Sequence, residues 1–313
     1  MRSFAEVVEA VRDYPVKDLA VAAAEDHTVL EAVAEAQRQK MVRAILVGNE
    51  LAIHKTAEEH KIDLGDARVI HERDPIRAAA TATAMVSAHE ADILMKGMIH
   101  TDDFLRAVLD KERGLRTGSI MSHVYVIEHP QRQEFLFVSD GAMNIAPSLE
   151  TKAGIILNAV HTAHAFGVEV PKVAVLAAVE LVNPAMPATV DAATLHIMCD
   201  RGQFSPKCIV DGPFALDNAI NEWAAEHKKI TGPVAGKADV LIVPSIEAGN
   251  ILAKSLVYLA GLTVAGLVVG AKAPVVLTSR ADQAPAKLAS IACAVYMAGV
   301  TRELRLKVGK VHY

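Results

Sequence analysis

The sequence predicts a two-lobed α/β fold of three-layer αβα type with mostly parallel sheets. Short apolar runs recur along the chain, and each breaks into small or polar residues before a helical stretch, as residues 238–250 do. Buried parallel strands read as such continuous runs, because helices cover both faces of the sheet. Strand-like and helix-like segments alternate from residue 18 onward, the order that builds βαβ units. The length, 313 residues, exceeds one typical domain, so two lobes are expected.

The elements follow in order. Residues 1–6 read as an amphipathic helix start. Strands at 18–23 and 43–47 flank a helix at 28–41 that Asp26 or His27 caps. A strand at 67–70 precedes a helix opened by Asp74 as N-cap and Pro75 at its first position. Residues 92–95 form a strand, and Thr101, Asp102 and Asp103 open the next helix with carboxylates at its positive end. Residues 118–128 and 134–138 read as a hairpin turning at His129-Pro130-Gln131. A loop at 139–148 leads into a long helix at 149–165. Further strands are expected at 172–177, 207–210, 239–243 and 274–277, each followed by a helical stretch, the last at 285–298. The basic tail, 302–313, carries no assignable role. The lobe boundary is expected within 141–148, with a return crossing near 261–270. That gives a first lobe of 1–145 plus about 266–313, a second of 146–265, and an active-site cleft between them.

Composition removes several classes. A hydrophobic fraction of 52% with only 4% aromatic residues describes an interior of branched strands and Ala-rich helices. A net charge of −5 disfavours general nucleic-acid binding. No apolar run reaches the roughly 20 residues that span a bilayer, and no signal region follows the N-terminus. Cys199, Cys208 and Cys293 form no CxxC pair and read as reduced core residues. A cytoplasmic protein is expected. GxxxxGK[ST], GxGxxG after the first strand, HExxH and GxSxG are all absent. His161 and His164 read as an incidental helical pair, and no metal site is expected.

In open α/β sheets ligands collect beyond the carboxyl ends of the strands, and there the chemistry-bearing residues gather. Thr278-Ser279-Arg280-Ala281-Asp282 follows a buried strand at a helix start. There Arg280 can fork onto a phosphate, and Ser279 can hydrogen-bond an oxyanion. Asp282 is either a base or a helix cap. Lys96, Gly97 and Thr101 lie in a strand-end loop suited to an anion, although Thr101 could simply cap its helix. Ser119, and the group Ser139, Asp140 and Asn144, lie in small-residue loops that let backbone approach a ligand. Asp211, Ser245 and Asn250 sit at further strand ends, and Lys254 and Lys272 are candidates for ligand phosphates or solvated lysines.

Together these segments resemble the phosphate acyltransferases: phosphate acetyltransferase and, more closely, phosphate butyryltransferase. They are similar also to the transferase portion of fused enoyl-CoA hydratase/phosphate acetyltransferase proteins. The matching segments are residues 94–101, 139–147, 232–239, 244–250 and 278–282, so the resemblance spans nearly the whole chain. It implies an isocitrate/isopropylmalate dehydrogenase-like two-lobed fold, usually dimeric, and a homodimer here. The implied reaction is acyl-CoA plus phosphate to acyl phosphate plus CoA, reversibly, by direct transfer in a ternary complex. Coenzyme A is a substrate, and no metal or prosthetic group is implied. The partners are acyl-CoA, phosphate and acyl phosphate, with no nucleic acid and no membrane.

By the same resemblance Ser279 and Arg280 inherit places at the acyl phosphate. The acetyl enzymes use a carboxylate a few residues further on to deprotonate the thiol. This chain has Pro285, Ala286 and Lys287 there, and Asp282 is the only nearby acid, which leaves the base open. Two other classes compete. A non-catalytic acyl-CoA-binding regulatory module is disfavoured by the intact Ser279-Arg280 pair. A metal- and NAD-dependent decarboxylating dehydrogenase needs a carboxylate cluster that the sequence does not offer.

Overall fold

The computed structural model describes residues 1–304 and 310–312. The chain divides into two compact units. The first comprises Ser3–Ser119 and Thr263–Arg302; the second comprises Met1–Arg2, Ile120–Leu262 and the described residues beyond Arg302.

In chain order the first unit opens with α1 (Phe4–Val11), β1 (Lys17–Ala22), α2 (His27–Arg38), β2 (Val42–Gly48), α3 (Glu50–His60), β3 (Arg68–His71), α4 (Pro75–Ser87), β4 (Ile93–Lys96) and α5 (Thr101–Val108). The second unit continues with β5 (Ser122–Glu128), β6 (Phe135–Ser139), α6 (Leu149–Ala165), β7 (Lys172–Leu176) and α7 (Pro187–Asp200). It is completed by β8 (Phe204–Ser205), β9 (Ile209–Phe214), α8 (Leu216–Ile220), α9 (Glu222–His227), β10 (Val240–Ile242) and α10 (Ile246–Tyr258). The chain then re-enters the first unit with β11 (Val264–Val269), β12 (Val275–Val276) and α11 (Ala284–Leu304), and β13 (Lys310–Val311) pairs with β8.

The fold is α/β, mostly parallel strands with helices on both sides. In the first unit the strand order is β3-β2-β1-β4-β12-β11, parallel throughout except for β11 against β12. The chain runs outward from β1 through β2 to β3, then returns to place β4 on the other side of β1. That reversal is a topological switch point, where open sheets leave a crevice at the strand carboxyl ends. β1, β4 and β12 are fully buried at their carboxyl-terminal residues, as their apolar runs require.

In the second unit the order is β5-β6-β10-β7-β9, with β5 antiparallel to β6 and the rest parallel. The β5–β6 hairpin lies in this unit, within Ile120–Leu262. β6 hydrogen-bonds β10 in parallel, Phe137 opposite Val240, and carries its antiparallel partner β5 with it. β5 also starts later than expected, because Gly118 (φ +88°) and the exposed residues 118–120 leave the extended conformation.

Capping explains most helix starts. Asp26 accepts from Val29 N–H at 2.9 Å, Asp74 from Ile76 N–H at 2.8 Å, and Ser148 from Thr151 N–H at 3.2 Å. α5 departs from expectation: His100 occupies its cap position without a side-chain hydrogen bond, and Thr101 is the first helical residue. Among the described residues no helix is long and apolar enough to cross a membrane.

Candidate active site

The crevice at the switch point of the first unit is built from three loops. After β1 the chain turns at Ala23, which takes a positive φ of 53°, and proceeds to Asp26 at the start of α2. After β4 comes Lys96-Gly97. Gly97 N–H donates to Ala22 C=O at 2.8 Å, and Met98 N–H donates to Ala23 C=O at 2.6 Å. A Cβ on Gly97 would overlap the Ala23 carbonyl oxygen and stand 2.6 Å from that of Ala22, so only glycine lets these two loops touch.

The third loop follows β12. Asp282 accepts the Ser279 N–H on Oδ2 at 2.7 Å, while Asp282 N–H donates to Ser279 C=O at 3.1 Å, closing a reciprocal turn. Lys287, the fourth residue of α11 and so about one turn along it, reaches back to this turn. Its Nζ donates to Ser279 C=O at 3.3 Å and to Asp282 C=O. Asp282 therefore binds its own turn instead of capping α11, whose first-turn amides at Ala286 and Lys287 go to Gln283 C=O.

Electrostatics set this site apart. Lys96 is only 3% exposed and Lys287 only 1%. Burial pushes the Lys96 ammonium down to about 8. Arg280 and then Lys287 push it the same way, and Asp282 and Asp26 oppose them. Burial lowers Lys287 too, against Asp26 and Asp282. The Lys96 Nζ makes one long hydrogen bond, to Gly97 C=O at 3.3 Å. Arg280 is exposed. A buried ammonium with so little compensation is costly, and here it faces two more cations. The arrangement is suited to an anion of charge −2 with several acceptor oxygens. The Ser279 hydroxyl, half-buried on the same turn, can donate to such a group.

The second unit gathers Ser139, Asp140, Asn144, Ser245 and Asn250 at the carboxyl ends of β6 and β10. Asp140 is 2% exposed, and its carboxylate accepts the N–H groups of Ala142, Met143 and Asn144 at 2.9, 3.1 and 3.2 Å. It also accepts the Asn144 side-chain amide at 2.6 Å, and that amide donates to Met121 C=O at 3.0 Å. Ser139 Oγ donates to His123 C=O at 2.8 Å, and Asn250 Nδ2 to Gly141 C=O at 3.3 Å. Ser245 occupies the cap position of α10 without bonding a helix N–H through its side chain.

The remaining predicted residues are scattered. Asp211 lies in β9, where its carboxylate accepts Gly212 N–H at 2.8 Å and lies 3.3 Å from His196 Nδ1; burial raises its affinity for a proton. Ser119 and Lys254 are exposed. Lys272 donates to Ser87 Oγ and Gly114 C=O, so it holds a loop. Among the described residues Cys199, Cys208 and Cys293 form no disulfide. Among the described residues no group of three or more His, Cys, Asp or Glu side chains gathers to hold a metal.

Sequence reasoning missed the role of Lys287. Its signal was a lone lysine inside an otherwise apolar helix run, residues 284–298, eight positions after Ser279.

Known proteins resemble this chain over most of its length. The family described as phosphate acetyl/butaryl transferase matches residues 3–79 and 73–295. A phosphate butyryltransferase of Clostridium beijerinckii is 48% identical over 297 residues, covering 95% of this chain and 98% of that protein. A phosphate acetyltransferase of Thermotoga maritima is 48% identical over 282 residues, covering 90% and 95%. Among solved structures, a branched-chain phosphotransacylase from Enterococcus faecalis superposes with a TM-score of 0.79 at 33% identity, covering 90% of this chain and 99% of that one.

Proposed function

This chain belongs to the phosphate acetyl/butaryl transferase family, and from that premise we propose that it moves a short-chain acyl group reversibly between coenzyme A and inorganic phosphate. The observation that carries the reading is the cation set at the switch point. Buried Lys96, exposed Arg280 and the Ser279 hydroxyl stand on adjacent loops, with Lys287 fastening the turn that bears two of them. An inorganic phosphate or the phosphoryl end of an acyl phosphate matches that set in charge and in its number of acceptor oxygens.

Transfer is direct, in a ternary complex. Arg280 holds the phosphoryl oxygens, with Lys96 beside them, and Ser279 donates to the oxyanion that develops on the acyl carbonyl. One such donor contributes roughly 3 kcal/mol, or about two orders of magnitude in rate. Neither a metal nor a prosthetic group enters any step.

The test is phosphate-dependent thiol release from straight and branched acyl-CoAs, acetyl through valeryl. Turnover that requires phosphate supports the transferase and ranks the acyl chains. Acyl-CoA binding by calorimetry without turnover would instead favour a regulatory acyl-CoA-binding module.

A further inference from the structure

We propose that Lys96 is the proton carrier of the reaction, taking the thiol proton of CoA and delivering it to the phosphate oxygen released from the acyl group. This rests on the acyltransferase reading above. Two carboxylates face Lys96, and each is held through one oxygen by its own turn. Asp282 accepts the Ser279 N–H at 2.7 Å. Asp26 accepts the Val29 N–H at 2.9 Å and the Thr28 hydroxyl at 2.6 Å as the cap of α2. The stretch in which acetyl enzymes are expected to carry a basic carboxylate holds Lys287, which is tied to two carbonyls. Lys96 stands deeper than either turn, 3% exposed at the end of β4, and among the described residues its Nζ has one long hydrogen bond, to its neighbour's carbonyl.

The surroundings suit proton exchange. The charged groups facing Lys96 are Arg280 and Asp282 from the turn after β12, Lys287 from α11 and Asp26 from the start of α2. Burial first, then Arg280 and Lys287, bring the ammonium down to about 8 against Asp282 and Asp26. A free thiol ionises near ~8.5, so the transfer between sulfur and nitrogen is close to balanced, the condition under which acid–base catalysis is most effective.

The step balances without any further reactant. In acyl-CoA synthesis the neutral Lys96 amine takes the S–H proton, and the thiolate sulfur bonds to the carbonyl carbon of the acyl phosphate. Collapse of the tetrahedral adduct breaks the carbon–oxygen bond to phosphate. The Lys96 ammonium then protonates the departing oxygen, giving hydrogen phosphate and regenerating the amine. In the opposite direction Lys96 takes the proton from hydrogen phosphate as its oxygen attacks the thioester, and returns it to the leaving sulfur.

The experiment is the pH dependence of kcat/KM for phosphate-dependent thiol release, in the wild-type chain, Lys96→Arg and Lys96→Ala, each checked for folding by circular dichroism. Wild-type kcat/KM is expected to rise with pH through an ionisation near 8. Lys96→Arg keeps a cation for phosphate but cannot exchange its proton; kcat is expected to fall by about 10²–10⁴, with the phosphate KM within a few-fold and the limb near 8 lost. Lys96→Ala is expected to recover turnover with small primary amines and not with tetramethylammonium. A wild-type profile flat between about pH 7 and 9 overturns the proposal. So does Lys96→Arg at wild-type kcat, or equal rescue by tetramethylammonium, since each reduces Lys96 to an anion holder. In all three cases wild-type turnover persists. The acyltransferase reading fails separately, when the wild-type chain releases no thiol in response to phosphate.

Discussion

Two strand-end loops of this protein have nearly the same sequence signature and opposite physics. Phe135-Leu136-Phe137-Val138 breaks into Ser139-Asp140-Gly141, and Val275-Val276-Leu277 breaks into Thr278-Ser279-Arg280. In the first, polarity is consumed internally: the Asp140 carboxylate accepts three backbone N–H groups and an amide, and Asn144 and Ser139 spend their donors on nearby backbone. In the second, polarity is left outward-looking. Asp282 and Lys287 lock the turn, and Arg280, Lys96 and the Ser279 hydroxyl retain donors for something else. A polar break after an apolar run marks a strand end; where its hydrogen bonds go decides whether it is scaffold or site.

The largest expected effect comes from Arg280→Ala. The side chain is exposed, so thermal stability should stay within about 0.5 kcal/mol of wild type. Phosphate-dependent turnover should drop by about 10³-fold, as a bidentate cation on the phosphoryl group is lost. Unchanged kcat and phosphate KM would dissolve the distinction between the two loops. Asp140→Ala is the counter-test. It strands four donors that the carboxylate now accepts, and stability should fall by about 3 kcal/mol in urea melts. A variant equally stable but inactive would make Asp140 a ligand group after all.

The α/β class and the strand ends, with the polar loops that follow them, were legible in the sequence, because parallel strands leave apolar runs and their carboxyl ends leave polar breaks. Asp26 and Asp74 were legible as caps for the same local reason: the motif and its hydrogen bond lie within three residues. What could not be read was pairing at a distance. The hairpin's membership depends on β6 finding β10, about a hundred residues on. The burial of Lys287 depends on α11 covering the turn after β12, which its place as a lone lysine in that helix marks but does not specify. The partners of Asp140 were not legible either, because three of the four are backbone amides, which every sequence carries.

A smaller effect sharpens the contrast at the glycines. Gly97→Ala drives a methyl against the Ala22 and Ala23 carbonyls, which are backbone and cannot rotate away. It should cost about 2 kcal/mol in stability and displace Lys96, so turnover should fall further than the folded fraction does. Gly141→Ala meets mainly the Tyr125 ring edge at 2.6 Å and the Gly249 backbone at 3.0 Å. Its loss of activity should follow its loss of stability, measured together by melts and initial rates. Matching ratios of the two losses in both variants would mean that the loops differ less than their hydrogen bonds indicate.

The smallest effect has the opposite sign. The ammonium of Lys96 is held at about 8 in the folded chain against an ordinary 10.5, chiefly by burial. Between those values the unfolded chain keeps a proton that the folded chain has released, so wild-type stability rises with pH across that window. Below about 8 both states are charged and the cost of burying the charge is present in full. Lys96→Met removes that cost, and at about pH 7 it should stabilise the chain by about 1–2 kcal/mol while abolishing turnover. The gain should shrink toward zero as the pH approaches about 10.5, because the wild-type amine is then neutral in both states. A methionine variant that is less stable than wild type at about pH 7 would mean that Lys96 is compensated inside the fold as fully as Asp140 is. The cation set would then be scaffold too, with no unspent capacity to direct at a phosphate.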